Sequence, residues 1–211
     1  MPQFSEKKII FYSLIFSVGI LMVAYLITHI NYSYMLWNLA LACIPYWLSL
    51  KIKSDQKKYL YWTIFVMWLL FLPNCFYILT DYVHLNTAIN FSYRKRIPPP
   101  TEVIEILMFS QFTWSGFVLG FASIKNIFEK VKFKKPFLVL ISILSLCSIG
   151  IVLGRWLRLN SWDIFSPASL AEHFRSLSDF NILHLLLIAV IFTLFLILIY
   201  LSIFSARTKR D

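Results

Sequence analysis

The chain has 211 residues, 59% of them hydrophobic and only 14% charged, with a mean hydropathy of +0.72, which excludes a water-soluble globular domain and leaves the bilayer as the expected solvent. The net charge of +10 does not point to nucleic acid, because the basic residues fall in short clusters between apolar runs rather than along one solvated face. Such clusters read as topology signals and as contacts to anionic membrane lipids.

A helix needs about 20 apolar residues to cross the hydrocarbon, and six segments meet or approach that length. Ile9 to Thr28 is too long for a signal peptide and no small-residue cleavage site follows it, so it reads as the first membrane helix. Tyr34 to Leu50 is the shortest and carries Asn38 and Pro45. Tyr59 to Leu79 contains Pro73, which, like Pro45, lacks an amide hydrogen and predicts a kink packed against neighbouring helices. Glu102 to Ser123, Pro136 to Leu153 and Phe180 to Phe204 complete the set. Before the last of these, Ser166-Pro167 is a helix start and Ser169 with Glu172 fits a capping box. Leu170, Phe174 and Leu177 then share a face, which predicts a short extracytoplasmic amphipathic helix. The expected architecture is all-α, a polytopic membrane helix bundle in which residues 1–211 form a single integral membrane domain with about six transmembrane helices. Cys43, Cys75 and Cys147 lack the paired spacing of a zinc site or disulfide framework and read as packing residues.

Orientation follows from Lys and Arg, which are enriched in short cytoplasmic loops. The N-terminal tail, the Lys51 to Lys58 and Lys125 to Lys135 loops and the C-terminal tail hold fourteen of the 20 basic residues, so both termini are expected in the cytoplasm. Arg94, Lys95 and Arg96 then fall outside, against the trend. Sorted by this topology, His29, His84, His173 and His184 lie in or next to the outer loops, with Asp81, Glu102, Glu105, Asp163, Glu172 and Asp179.

Two stretches carry chemistry. If the third helix continues past its membrane end, Asn74, Tyr77, Asp81 and His84 fall at i, i+3, i+7 and i+10 and form one polar stripe. Asp81 could then fix the tautomer of His84 as a general base. Two such residues do not make a catalytic zinc site, which takes three protein ligands, so no metal is assigned. The stripe reads equally as interhelical polar glue. At the outer end of the fifth span, Arg155 and Arg158 present two guanidinium forks suited to phosphate or carboxylate, or else snorkel to lipid phosphate. Glu102 and Glu105 follow three prolines and read as helix-start charges.

Trp37-Asn38-Leu39 with Ile44-Pro45, then Trp68-Leu69-Leu70-Phe71-x-Pro73-Asn74 running into Tyr77-x-x-Thr80-Asp81-x-x-His84-Leu85, then Gly154-Arg155-x-x-Arg158-x-Asn160-Ser161-Trp162-Asp163, resemble in that order bacterial membrane proteins of the domain-of-unknown-function family 1361. The resemblance runs from about Trp37 to Asp163. It implies the membrane architecture and the choice of residues; the family has no established biochemistry, so it implies no reaction.

The one-sided clustering of ionisable groups points to an extracytoplasmic-facing enzyme acting on a lipid-linked or anionic envelope substrate. Asp81 and His84 are its expected acid/base pair. Arg155 and Arg158 would bind an anionic group such as phosphate, and Asn38, Asn74, Tyr77, Asn160 and Asp163 would orient the site. Two alternatives from other classes stand beside it: a small transporter or channel using the same groups as a relay, and a non-catalytic assembly factor that docks an envelope protein partner. The residues specify no cofactor, and the expected location is the cell membrane.

Overall fold

In lipid, every backbone N–H and C=O must be satisfied inside its own segment, so long apolar runs wind into helices. The computed structural model of the chain describes residues 5–53, 56–87, 99–156, 158, 166, 171 and 181–205. Among these the elements are α1 (Glu6–Thr28), α2 (Tyr34–Lys51), α3 (Lys58–Phe71), α4 (Pro73–Tyr77), a 3₁₀ helix (Ile78–Thr87), α5 (Pro100–Lys130), α6 (Pro136–Trp156) and α7 (Ile182–Ser205), with no strand. The chain is an all-α, multi-pass membrane bundle. Among the described residues, five stretches are long and apolar enough to cross a membrane: α1, the run from Lys58 to Leu85, α5, α6 and α7.

By composition α2 is not among them, yet it runs between the two ends of the bundle. Near its start Asn38 donates to Asp81 at 2.8 Å, and near its finish Ser49 Oγ accepts from Asn126 Nδ2 at 3.0 Å. Its 18 residues reach about 27 Å. Lys130 of α5 closes it, donating from Nζ to the carbonyls of Ser49 at 2.7 Å and Leu50 at 3.0 Å, which have no partner within a helix terminus.

The core forms around α5, which packs against α1, α2, α4 and the 3₁₀ helix. Lipid tails are as apolar as leucine, so close approach and polar contacts hold membrane helices together rather than water exclusion. Gly116-x-x-x-Gly120 supplies the close approach. A Cβ on Gly116 would run into the Cys75 carbonyl, and one on Gly120 would sit 2.7 Å from the Phe76 ring. On the far side of α4, Pro73 lies against Gly150 of α6, where an added Cβ would meet its ring at 2.7 Å. Polar seams supplement this contact. Trp68 Nε1 donates to Ser123 Oγ at 2.6 Å, which donates to the Pro45 carbonyl at 3.0 Å. Between α1 and α5, Ser13 and Ser17 meet Ser115 at 2.6 and 2.8 Å, with the Gln111 amide donating to the Ser13 carbonyl at 3.1 Å. The outward surfaces of α1 and α7 are Phe, Tyr, Ile, Leu, Met and Val, as lipid contact requires.

The structure departs from the sequence reading in two elements. The third span does not continue as one α-helix. It breaks at Leu72-Pro73, gives a single short α4, then tightens into the 3₁₀ helix. Nor does α5 end near Ser123; it carries Lys125 and Lys130, expected in a loop, on its last turns. Ile124 and Ile127 remain fully buried there, and the extension lets Lys125 pair with Glu6 of α1 at 2.7 Å. The amphipathic helix expected from Ser166 to Leu177 lies, Ser166 and Ala171 apart, outside the described residues, as do Asn160, Asp163 and His173.

Candidate functional site

A 3₁₀ helix has three residues per turn, so side chains at i and i+3 eclipse. That winding stacks Ile78, Asp81 and His84 on one face and delivers Asp81 and His84 to the same side more directly than the expected α-helical stripe would. Asp81, 1% exposed, is the floor. Its Oδ2 accepts from Asn38 Nδ2 of α2 at 2.8 Å, and its Oδ1 faces Arg155 Nη1 of α6 at 3.5 Å. The same Nη1 lies 3.4 Å from the Tyr77 hydroxyl, the guanidinium carbon sits 5.9 Å above the Tyr77 ring, and Nη2 reaches His84 Nε2 at 3.2 Å. Arg155 therefore stands as a bridge from carboxylate to imidazole.

An arginine only donates, so Nε2 of His84 accepts and the ring proton sits on Nδ1. Exposure rises along the bridge, from Asp81 at 1% through the Arg155 side chain at 15% to the exposed His84. The three Arg155 contacts, at 3.2 to 3.5 Å, are all loose compared with the 2.8 Å amide–carboxylate bond beneath them. The floor is tightly held and the guanidinium is lightly held above it.

The other expected site residues are placed differently. Asn74 of α4 turns its amide to the Phe71 carbonyl at the end of α3, at 3.0 Å, and braces the break at Pro73. Arg158 lies exposed beyond the end of α6 with φ 54°, a left-handed conformation that is costly for a side chain of this type.

Three residues at this end were not read as site residues from the sequence. Tyr34 packs its ring against His84, with centroids 5.5 Å apart and the planes at 63°, and its hydroxyl is buried with no hydrogen-bond partner among the described residues. It precedes Asn38 by four positions on α2, so helical spacing was a usable signal. Glu105, past the first turn of α5 where Glu102 stands, is 4% exposed. Tyr32, in the turn between α1 and α2, faces it; burial first, and then the Glu105 carboxylate, push the Tyr32 phenol above the usual tyrosine range. Its ring also packs on Phe109 at 5.8 Å. Among the described residues, no three His, Cys, Asp or Glu side chains gather as metal ligands.

A helical bundle with a buried, arginine-bridged polar centre at one end and a lysine-bearing opposite end defines a polytopic membrane protein built around a terminal polar site. The family described as "Protein of unknown function (DUF1361)" matches residues 37–201, and the chain belongs to it. The match takes in Asn38, Tyr77, Asp81, His84 and Arg155. No curated protein and no solved structure matches the chain.

Proposed function

We propose that the Asp81–Arg155–His84 centre serves an extracytoplasmic-facing membrane enzyme acting on an anionic, phosphate-bearing group of a lipid-linked or envelope substrate. The burial gradient carries this reading: Asp81 is too deep to meet a substrate and holds Arg155, Arg155 has spare N–H donors for an oxyanion, and exposed His84 is the group able to exchange a proton with it. Asp81 is thus a positioning residue, and the acid/base role falls to His84 alone. The outward orientation rests on the fourteen basic residues in the segments assigned to the opposite side, which fits a bacterial cell membrane with both termini cytoplasmic.

The test is replacement of the native protein in cells by His84→Gln and Arg155→Lys variants at equal abundance, with lipid-linked and envelope phosphate species profiled by mass spectrometry. A substrate should accumulate in both, since loss of one general acid/base group slows a reaction about 10²–10⁴-fold. Unchanged profiles in both variants would remove the enzymatic reading.

One observation favours a second, non-catalytic reading. The Asp81 carboxylate ties α2, the 3₁₀ helix and α6 together, which is what a packing anchor or a docking platform for an envelope protein needs. Under that reading His84→Gln leaves phosphate species untouched while Asp81→Ala lowers protein abundance and recovery of any complex.

A further inference from the structure

Among the polar groups around Arg155, the Tyr34 hydroxyl stands apart. It is buried and has no hydrogen-bond partner among the described residues. Native structures rarely leave such a group unpaired, and one beside a charged centre marks the place of an atom that arrives from elsewhere. The neighbours say what kind of atom. The phenol lies within electrostatic reach of Arg155, Asp81 and Glu105, and its ring packs on the imidazole that Arg155 Nη2 contacts at 3.2 Å. The carboxylate is engaged by Asn38 at 2.8 Å, whereas the guanidinium rests on its three acceptors at 3.2 to 3.5 Å. The donors with least to hold them are therefore the phenol O–H and the outer edge of Arg155.

We infer that Tyr34 is a ligand-binding residue, its hydroxyl and the Nη2 edge of Arg155 together donating to the oxygens of a phosphate monoester that enters past His84. The inference rests on the anion-binding reading of the centre and adds to it a named residue and a ligand class. The exposed imidazole packs against the Tyr34 ring, with centroids 5.5 Å apart. An incoming oxyanion takes Nη2 from His84 Nε2 and uncovers the Tyr34 hydroxyl in the same movement, which accounts for a donor that is buried yet unpaired. A phosphate monoester fits better than a diester: its dianion offers three terminal oxygens to two neighbouring donors in a centre that already holds one arginine. The same terminal oxygens reach this depth either on free inorganic phosphate or on the monoester headgroup of a lipid such as phosphatidic acid.

The experiment uses the purified full chain in mild detergent, titrated in parallel with inorganic phosphate and with nanodiscs containing phosphatidic acid, against phosphatidylcholine nanodiscs as the control. Wild type, Tyr34→Phe and Arg155→Lys are compared by binding isotherm and by thermal unfolding. Tyr34→Phe should unfold at or above the wild-type temperature without ligand, because it deletes an unpaired hydroxyl, and should bind the phosphate probe about tenfold more weakly, the loss expected for one hydrogen bond to a charged group. Saturation by inorganic phosphate assigns the site to a free anion; binding confined to phosphatidic acid nanodiscs assigns it to a lipid headgroup. If wild type binds and Tyr34→Phe binds equally well while Arg155→Lys does not, Tyr34 is not a ligand residue and the anion-binding reading stands. If wild type binds neither probe above the phosphatidylcholine control, both fall.

Discussion

Asp81 shows how one side chain can be at once a scaffold and part of a site. Removing it leaves Asn38 Nδ2 and Arg155 Nη1 without the acceptor they share, and buried donors without acceptors cost about 1–3 kcal/mol each. Arg155 retains the Tyr77 hydroxyl and an exposed edge, so the arginine's share sits at the low end. Asp81→Ala should therefore destabilise the detergent-solubilised protein by roughly 2 kcal/mol. The double variant Asp81→Ala/Arg155→Ala should lose less than the sum of the single losses, because contacting residues couple by at least ~0.5 kcal/mol. Denaturant unfolding of the four species closes the cycle. Additive losses would mean that the 3.5 Å approach of the two charges carries no energy and that Arg155 is held by its aromatic neighbour instead. The residues that the sequence brought forward here were ones whose chemistry is rare in apolar helices: an Asp, a His, an Arg. The bridge itself was not legible, since Asn38, Asp81 and Arg155 come from three distant segments and only packing brings the guanidinium to the carboxylate. Tyr34 and Glu105 were missed for a related reason, since a tyrosine near a headgroup and a glutamate near a helix start both have ordinary explanations until burial is seen.

At the scale of elements, the site exists because α4 can press against α5. The break at Leu72-Pro73 and the following short α4 swing the third span so that its outer part winds as a 3₁₀ helix against α5 and α2, within reach of Arg155 of α6. Gly116 and Gly120 make room for that swing, and Pro73 fills the notch left by Gly150. Pro73 was legible as a kink. The receiving glycines carry a small-xxx-small spacing that the sequence reading did not use, and their partner was not legible, because nothing local to α5 says which helix will lie against it. Gly116→Ala places a methyl group into the backbone carbonyl of Cys75, which cannot move as a side chain end can, and should cost about 1–3 kcal/mol, the usual range for overpacking. Gly19→Ala is the matched control. A Cβ there meets nothing within 4 Å, so the helix propensity of alanine should make it neutral or stabilising by up to about 1 kcal/mol. Thermal unfolding of the two variants decides the matter, and equal behaviour would mean that α4 and α5 do not approach as closely as the site requires. Because Asp81 follows α4, Gly116→Ala should also weaken phosphate binding where Gly19→Ala does not.

For the molecule as a whole, the sequence was most informative where one physical quantity dominates. About 20 apolar residues make a span, and an all-α membrane bundle follows from repeating that rule along the chain. It was least informative where two quantities compete, as in α2, whose Asn38, Pro45 and Lys51 depress its hydropathy while its two ends still reach opposite ends of the bundle. Those ends differ chemically: one holds Asp81, Glu105, His84 and Arg155, and the other holds Lys125 paired with Glu6 and Lys130 capping α2. If basic residues set orientation, the lysine-bearing end is cytoplasmic and the polar centre faces out. Two exposed positions at opposite ends separate the possibilities, Val83 beside His84 and Lys53 just beyond α2. The native thiols give little background, Cys75 and Cys147 being buried and Cys43 half-buried. Val83→Cys should react in intact cells with a membrane-impermeant maleimide, and Lys53→Cys only after the membrane is opened. The reverse pattern would turn the polar centre toward the cytoplasm and remove envelope substrates from consideration while leaving the Arg155 bridge intact. Reaction of both positions in intact cells would put the two ends of the Lys58–Leu85 run on one side of the membrane, so that neither this run nor α2, whose start is tied to Asp81, would cross.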